Sequence, residues 1–175
     1  MTTTQLHDGR RTRLVRGVIG GIVAGVLFIA LNAWYVASQG QAPVRPLGLI
    51  SSIVLGADAL PQDVNPALGA AIHLALSAAY GVVFALLVPL FRTNGTVALA
   101  GTVYGIGLFA VNFLVLAQTL LPQFQTPNLP VEFMAHALFG LVLALGFYSS
   151  GVRRDEPPVG RRIGRGQQLM LRASR

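Results

Sequence analysis

The chain has 175 residues, a net charge of +7, a hydrophobic content of 53% and a charged content of only 11%. Soluble domains carry about 25% charged residues, so this composition argues against a soluble enzyme, a disordered chain and a coiled coil. The sequence has no cysteine, which excludes disulfide scaffolds, iron–sulfur clusters and thiol nucleophiles. We therefore predict an all-α membrane protein that crosses the bilayer several times.

Four segments approach the length of about 20 apolar residues that a membrane-spanning helix needs. They lie at about 17–37, 66–88, 96–118 and 130–149. A signal peptide is the alternative interpretation of the first segment, but the apolar core of such a peptide is only about 7–15 residues long. Asn65 and Pro66 form a typical helix start, with Asn as the cap and Pro at the first helical position.

The arginines indicate which side of the membrane each segment faces. All except Arg45 lie in residues 1–16, 92–95 or 151–175. Because basic residues collect on the cytoplasmic side, both termini are predicted to be cytoplasmic. The predicted parts are a basic tail (1–16), a four-helix transmembrane domain (17–150) and an Arg-rich disordered tail (151–175). The two tails are expected to attract anionic lipid headgroups rather than nucleic acid.

The first outer loop, residues 38–65, contains a shorter apolar stretch at about 47–60. Leu47, Ile50 and Val54 recur in it at helical spacing. We predict a short helix that lies at the outer interface or packs back onto the bundle. A lid over a site is the alternative to passive packing.

An internal repeat is predicted from residues that recur at matching positions in two pairs of spans. The first and third spans share two glycines and an asparagine, and the second and fourth spans share a histidine at matching positions. The pairs are Gly21 with Gly101, Gly25 with Gly105, Asn32 with Asn112, and His73 with His136. The pattern predicts two repeated helical hairpins in parallel orientation. The glycine pairs are predicted to form helix contacts inside the bundle, and a homodimer face is the alternative.

Each span carries one strong hydrogen-bonding side chain at a similar depth. At 1.5 Å per residue, these side chains lie about 9–10 Å below the outer ends of their helices. They are Asn32, His73, Asn112 and His136, with Glu132 one turn above His136. Polar groups are costly in lipid, so we predict that this polar cluster faces the bundle interior.

Several roles for the polar cluster remain open. The first is an interhelical hydrogen-bond girdle that fixes one packing. The second is a proton-responsive site on Glu132 and His136, because histidine titrates near neutral pH. The third is haem b with His73 and His136 as axial ligands. The fourth is a divalent metal or small polar ligand bound by the same histidines and Glu132. No catalytic triad, HExxH motif or phosphate loop is present, so no enzyme is predicted.

The start of the fourth span resembles the YagU-like family of small bacterial inner-membrane proteins. Pro122, Pro127 and Pro130 precede a Glu132-x-x-x-His136 motif, and the Gly101-x-x-x-Gly105 motif and His73 also fit. The resemblance implies an inner-membrane protein of unknown molecular activity. It also implies a link to acid tolerance, which in this chain would involve only Glu132 and His136. This chain is smaller, and its first outer loop is shorter and lacks cysteine.

These observations predict a small polytopic inner-membrane protein without catalytic machinery, acting as a helper subunit or as a pH-linked membrane factor. A haem- or metal-binding subunit and a small dimeric transporter are the alternatives. Assembly as a homodimer or within a larger membrane complex fits any of these roles.

Overall fold

The computed structural model describes residues 3–148, with side chains from residue 9 onwards. In this part the regular secondary structure is all helical, and no strand is present. Three helices are long and apolar enough to cross a membrane: Gly9–Ser38, Pro66–Leu90 and Asn94–Thr119. The prediction of an all-α membrane protein is confirmed at this level. The predicted Arg-rich tail, residues 151–175, lies outside the described residues.

The α-helices follow one another with short connections. They are α1 (Thr3–Ser38), α2 (Arg45–Leu55), α3 (Pro66–Leu87), α4 (Asn94–Phe109), the short α5 (Ala117–Thr119) and α6 (Leu129–Leu145). A π-helix, Ala110–Leu116, joins α4 to α5 without a break. Short 3₁₀ turns occupy Ala57–Ala59, Val88–Leu90 and Pro122–Gln125.

Two helices differ in length from the predicted segments. Helix α1 begins at Thr3, so most of residues 1–16 belongs to the helix rather than to a separate tail. This segment contains no proline to interrupt a helix, and Arg16 Nη1 donates to the carbonyl oxygen of Gly146 at 3.1 Å. Helix α6 has 17 residues, about 26 Å at 1.5 Å per residue, which is at the lower limit for a span.

Side-chain caps fix the starts of three helices. Asn65 Oδ1 accepts a hydrogen bond from the Leu68 amide at 3.0 Å, and Asn128 Oδ1 accepts from the Val131 amide at 3.2 Å. Thr93 begins α4 with a reciprocal capping box. The caps satisfy backbone amides that have no partner within the helix. The cap at Asn65 is the one that the sequence predicted.

The helices pack as two close pairs, α1 with α3 and α4 with α6, and α1 also contacts α6. Glycines stand where the backbones approach each other. A Cβ atom added to Gly21 would overlap the Ser77 carbonyl oxygen, and one added to Gly105 would overlap the His136 carbonyl oxygen. The structure thus places the predicted glycine pairs at contacts within the chain, where small residues allow helices to meet closely.

Helix α2 packs back onto the bundle. Gly69 of α3 lies directly against the backbone carbonyl of Leu47. The Asn65 amide donates to Ser51 Oγ at 3.1 Å, and Gln123 Nε2 donates to Ser52 Oγ at 3.2 Å. Helix α2 therefore bridges the start of α3 and the turn at Pro122–Gln125, and it covers one end of the bundle, which we call the α2 end.

Substitution of Gly105 by alanine should destabilise the bundle, because the new methyl group would meet backbone of α6 that cannot move aside cheaply. We expect a loss of about 1–3 kcal/mol in the free energy of unfolding, as overpacking typically costs. The measurement is an unfolding titration in mixed micelles. Gly107→Ala is the matched control on the same helix, because a Cβ at Gly107 meets no atom within 4 Å. Equal stability of the two variants would contradict the described α4–α6 contact.

Candidate functional site

A cavity of about 740 Å³ lies at the α2 end of the bundle. Its walls come from α1, α3, α6 and the π-helix, and α2 contributes the roof. All five members of the polar cluster line it: Asn32, His73, Asn112, Glu132 and His136. The residues singled out in the sequence are therefore brought together around one space.

His136 is held by hydrogen bonds on both ring nitrogens. Its Nδ1 lies 2.8 Å from the backbone oxygen of Glu132, and its Nε2 lies 3.2 Å from Asn112 Nδ2. A carbonyl oxygen can only accept, so Nδ1 carries the hydrogen and Nε2 accepts from the asparagine amide. His136 is only 6% exposed, and these two bonds fix its ring orientation.

Asn112 lies in the π-helix, Ala110–Leu116. Such turns are rare within α-helices and are frequent at functional sites. Two glutamine side chains bond to backbone oxygens in this region: Gln118 Nε2 donates to Phe113 at 3.2 Å, and Gln125 Nε2 donates to Ala117 at 2.9 Å. These bonds stabilise an irregular backbone that carries Asn112 opposite His136.

His73 has a different environment from His136. Its Nε2 lies 2.9 Å from the backbone oxygen of Gly25, so Nε2 carries the hydrogen and Nδ1 remains an acceptor. The bond is short because α1 and α3 lie close together at Gly25, where an added Cβ would overlap Ser77. Asn32, which corresponds to Asn112 in the predicted repeat, donates to the Phe28 backbone oxygen of its own helix at 3.3 Å.

Aromatic rings surround the two imidazoles. The Phe28 ring contacts both, with centroid distances of 5.5 Å to His73 and 4.8 Å to His136. Phe109 and Phe113 approach His136 edge-on at 5.9 Å and 5.6 Å. Edge-to-face contacts of this kind favour one ring orientation, so the rings and the hydrogen bonds hold His136 in the same position.

Glu132 is the cluster member whose carboxyl group accepts no hydrogen bond from the described residues. The residue is 8% exposed, and its Oε2 lies 3.9 Å from Nδ1 of His136, too far for a hydrogen bond. Within residues 9–148 no group donates a hydrogen bond to this carboxyl group. It faces the cavity instead.

The geometry does not fit a haem between the two histidines. Axial ligation would require an imidazole nitrogen of each residue to point at a shared iron, whereas both Nε2 atoms are hydrogen-bonded inside the protein and Phe28 contacts both rings. The described residues also contain no group of three or more His, Asp or Glu side chains that could hold a metal ion.

Sequence reasoning missed much of the cavity wall. Phe28 lies one turn before Asn32 and therefore on the same helix face, a spacing that could have identified it. Arg45, Leu49 and Ile53 of the roof also line the cavity. The sequence indicated their role only through the alternative that the first outer loop forms a lid over a site. No sequence signal marked the π-helix.

Comparisons with protein-family models, curated proteins and solved structures gave no match. The interpretation of the site therefore rests on the geometry of this chain.

The hydrogen bond between Asn112 and His136 predicts that these two residues are energetically coupled. No such coupling is expected between Asn32 and His136. In a double-mutant cycle, Asn112→Ala and His136→Ala should couple by about 0.6–2 kcal/mol, the range for polar contacts between membrane helices. The free energy of unfolding in mixed micelles is the quantity to measure. Asn32→Ala serves as the matched control, since it lines the same cavity but bonds to its own helix. A coupling near zero for Asn112 would show that the described bond does not form.

Proposed function

We propose that this chain is a non-enzymatic inner-membrane protein that binds a small molecule in the cavity at the α2 end. The observation that carries the proposal is the carboxyl group of Glu132, which is buried at the wall of a roughly 740 Å³ space and receives no hydrogen bond from residues 9–148. Ligand pockets usually measure about 300–1,000 Å³ and combine apolar walls with a few polar groups. This cavity has that size and that composition.

The proposed topology has four spans with both termini in the cytoplasm. Helix α6 is short, but it runs antiparallel to α4, and its last turn meets Arg16 near the start of the apolar part of α1. This pairing supports a full crossing by α6. The arginine distribution places the α2 end outside, because Arg45 is the single arginine of the predicted outer loops. In this orientation the cavity opens toward the outer leaflet.

Equivalent contacts support a duplicated hairpin. Gly21 meets Ser77 as Gly101 meets Gly140, and these are matching positions in the proposed repeat. In the same way, Gly25 contacts His73 and Gly105 contacts His136. Duplication followed by divergence would explain two histidines at one level with different hydrogen-bond partners.

A pH-linked membrane factor is the second candidate. The distance of 3.9 Å between Glu132 Oε2 and His136 Nδ1 favours it, because a charge on either group would be felt by the other. The resemblance to the YagU-like family points in the same direction. A helper subunit, a dimeric transporter and contact of the Arg-rich tails with anionic lipid are compatible with either candidate.

The cysteine-free sequence offers a direct test of the topology. Gln41→Cys, at the α2 end, should react with a membrane-impermeant maleimide in intact spheroplasts. Gly95→Cys, in the first turn of α4, should react only after the membrane is opened. Labelling yields measured by gel shift provide the readout. The opposite labelling pattern would show that the orientation is inverted. Labelling of both sites in intact spheroplasts would exclude this topology.

Ligand binding in the cavity predicts a bound mass that depends on the cavity wall. Native mass spectra of the protein in mild detergent should show a small-molecule adduct that decreases severalfold in Leu49→Trp, which fills space under the roof. Leu99→Trp is the matched control, because Leu99 is 66% exposed on the outside of the bundle. A wild-type protein with no adduct, or an adduct that is equally abundant in both variants, would contradict the proposal.

A further inference from the structure

The hydrogen-bond donors of the polar cluster are largely used inside the protein. Each histidine donates to a backbone oxygen: His73 to Gly25 at 2.9 Å and His136 to Glu132 at 2.8 Å. The amide of Asn112 donates to His136 at 3.2 Å. These contacts leave the imidazoles no further N–H group to offer a ligand.

Acceptors, in contrast, remain available at the cavity wall. His73 Nδ1 is an acceptor, since Nε2 carries the hydrogen. Asn32 uses its amide nitrogen for the Phe28 carbonyl, which leaves Oδ1. The strongest acceptor is the carboxyl group of Glu132, which is 8% exposed and receives no hydrogen bond from the described residues. Within the polar cluster the free groups are therefore mainly acceptors, which favours a ligand that donates hydrogen bonds.

The charge of Glu132 narrows the class of ligand further. A buried carboxylate is costly unless a cation or a proton neutralises it. No arginine within residues 9–148 forms an ion pair with Glu132; Arg45 lines the same cavity from the roof, but its Nη1 donates to Gln41 Oε1. The position next to the carboxyl group is thus open to a positive charge supplied from outside the chain.

The apolar part of the wall is rich in aromatic rings. They belong to Phe28, Tyr35, Tyr80, Phe113, Phe124 and Phe139. Aromatic faces attract ammonium groups by cation–π interactions, and the same rings offer contact area to an apolar body. A metal ion would use neither the cation–π interaction nor the apolar contact area. The described residues also contain no group of three or more side chains that could hold a metal ion.

We infer that the cavity binds a hydrophobic amine, with its ammonium group at Glu132 and its apolar part among the aromatic rings. This inference rests on the proposed ligand-binding function and adds the chemical class of the ligand. The ammonium donates hydrogen bonds to Glu132 and to the acceptors on Asn32 and His73. The apolar part extends toward the roof helix α2.

A series of three compounds tests the inference on the unmodified protein. The probes are 4-phenylbutylamine, 4-phenylbutanol and 4-phenylbutyrate, which share an apolar body and differ in the charge of the head. Their affinities are measured at pH 8 by calorimetry, with the protein in mild detergent. The amine should bind about tenfold tighter than the alcohol or more, as a charge-assisted hydrogen bond in a buried site implies. The butyrate should bind weakest.

Two variants locate the effect. Glu132→Gln keeps the size of the side chain and removes its charge, so it should lower the affinity of the amine to that of the alcohol. Asp63→Asn removes the same charge from an exposed position outside the cavity and should leave all affinities unchanged. Helical content and thermal midpoint, measured for each variant, separate loss of binding from loss of fold.

The outcomes distinguish this inference from the proposed function. Equal affinities for amine and alcohol in the unmodified protein would overturn the amine inference and leave ligand binding intact. Tightest binding of the butyrate would also overturn it, and would assign recognition to Arg45. Failure of all three compounds to bind would overturn the amine inference, and ligand binding would fall with it only if native spectra also showed no adduct.

Discussion

The close approach of helix backbones at glycine is the constraint on which the rest of the structure depends. Gly25 lets α1 come near enough to α3 for its carbonyl oxygen to accept from His73, and Gly105 brings α4 against the backbone of His136. Membrane helices gain little from hydrophobic association, because lipid is as apolar as the side chains. Close packing at small residues therefore positions the polar groups, and the short interhelical hydrogen bonds follow from that packing.

Both helix pairs approach each other closely at glycine, but their polar side chains form different hydrogen bonds. In the first pair the histidine bonds to a backbone oxygen, and Asn32 bonds to its own helix. In the second pair the π-helix changes the backbone around Asn112, and the asparagine reaches across to His136. A regular helix at Asn112 would favour the arrangement seen at Asn32. The irregular turn is thus the feature that separates two otherwise similar hairpins, and it lies directly at the cavity.

Much of this architecture could be predicted from the sequence because hydropathy, capping residues and polar residues in apolar segments are local signals. They identified the apolar helices, the cap at Asn65 and the five polar residues that line the cavity. Other features depend on tertiary contacts that leave no local trace. Helix α1 begins at Thr3, and its Arg16 bonds to the carbonyl oxygen of Gly146 at the end of α6. The roof helix α2 docks through serine hydroxyls rather than through an apolar stripe alone.

The polar cluster is almost complete as a structural network, and Glu132 is the exception. Hydrogen bonds hold both histidines and both asparagines, so packing alone can account for those four residues. Packing alone does not account for a carboxyl group at the cavity wall, since a glutamine or a leucine there would avoid the cost of a buried charge. The ligand proposed for the cavity would resolve the imbalance, and it would explain why the space beside Glu132 is open rather than filled by a side chain.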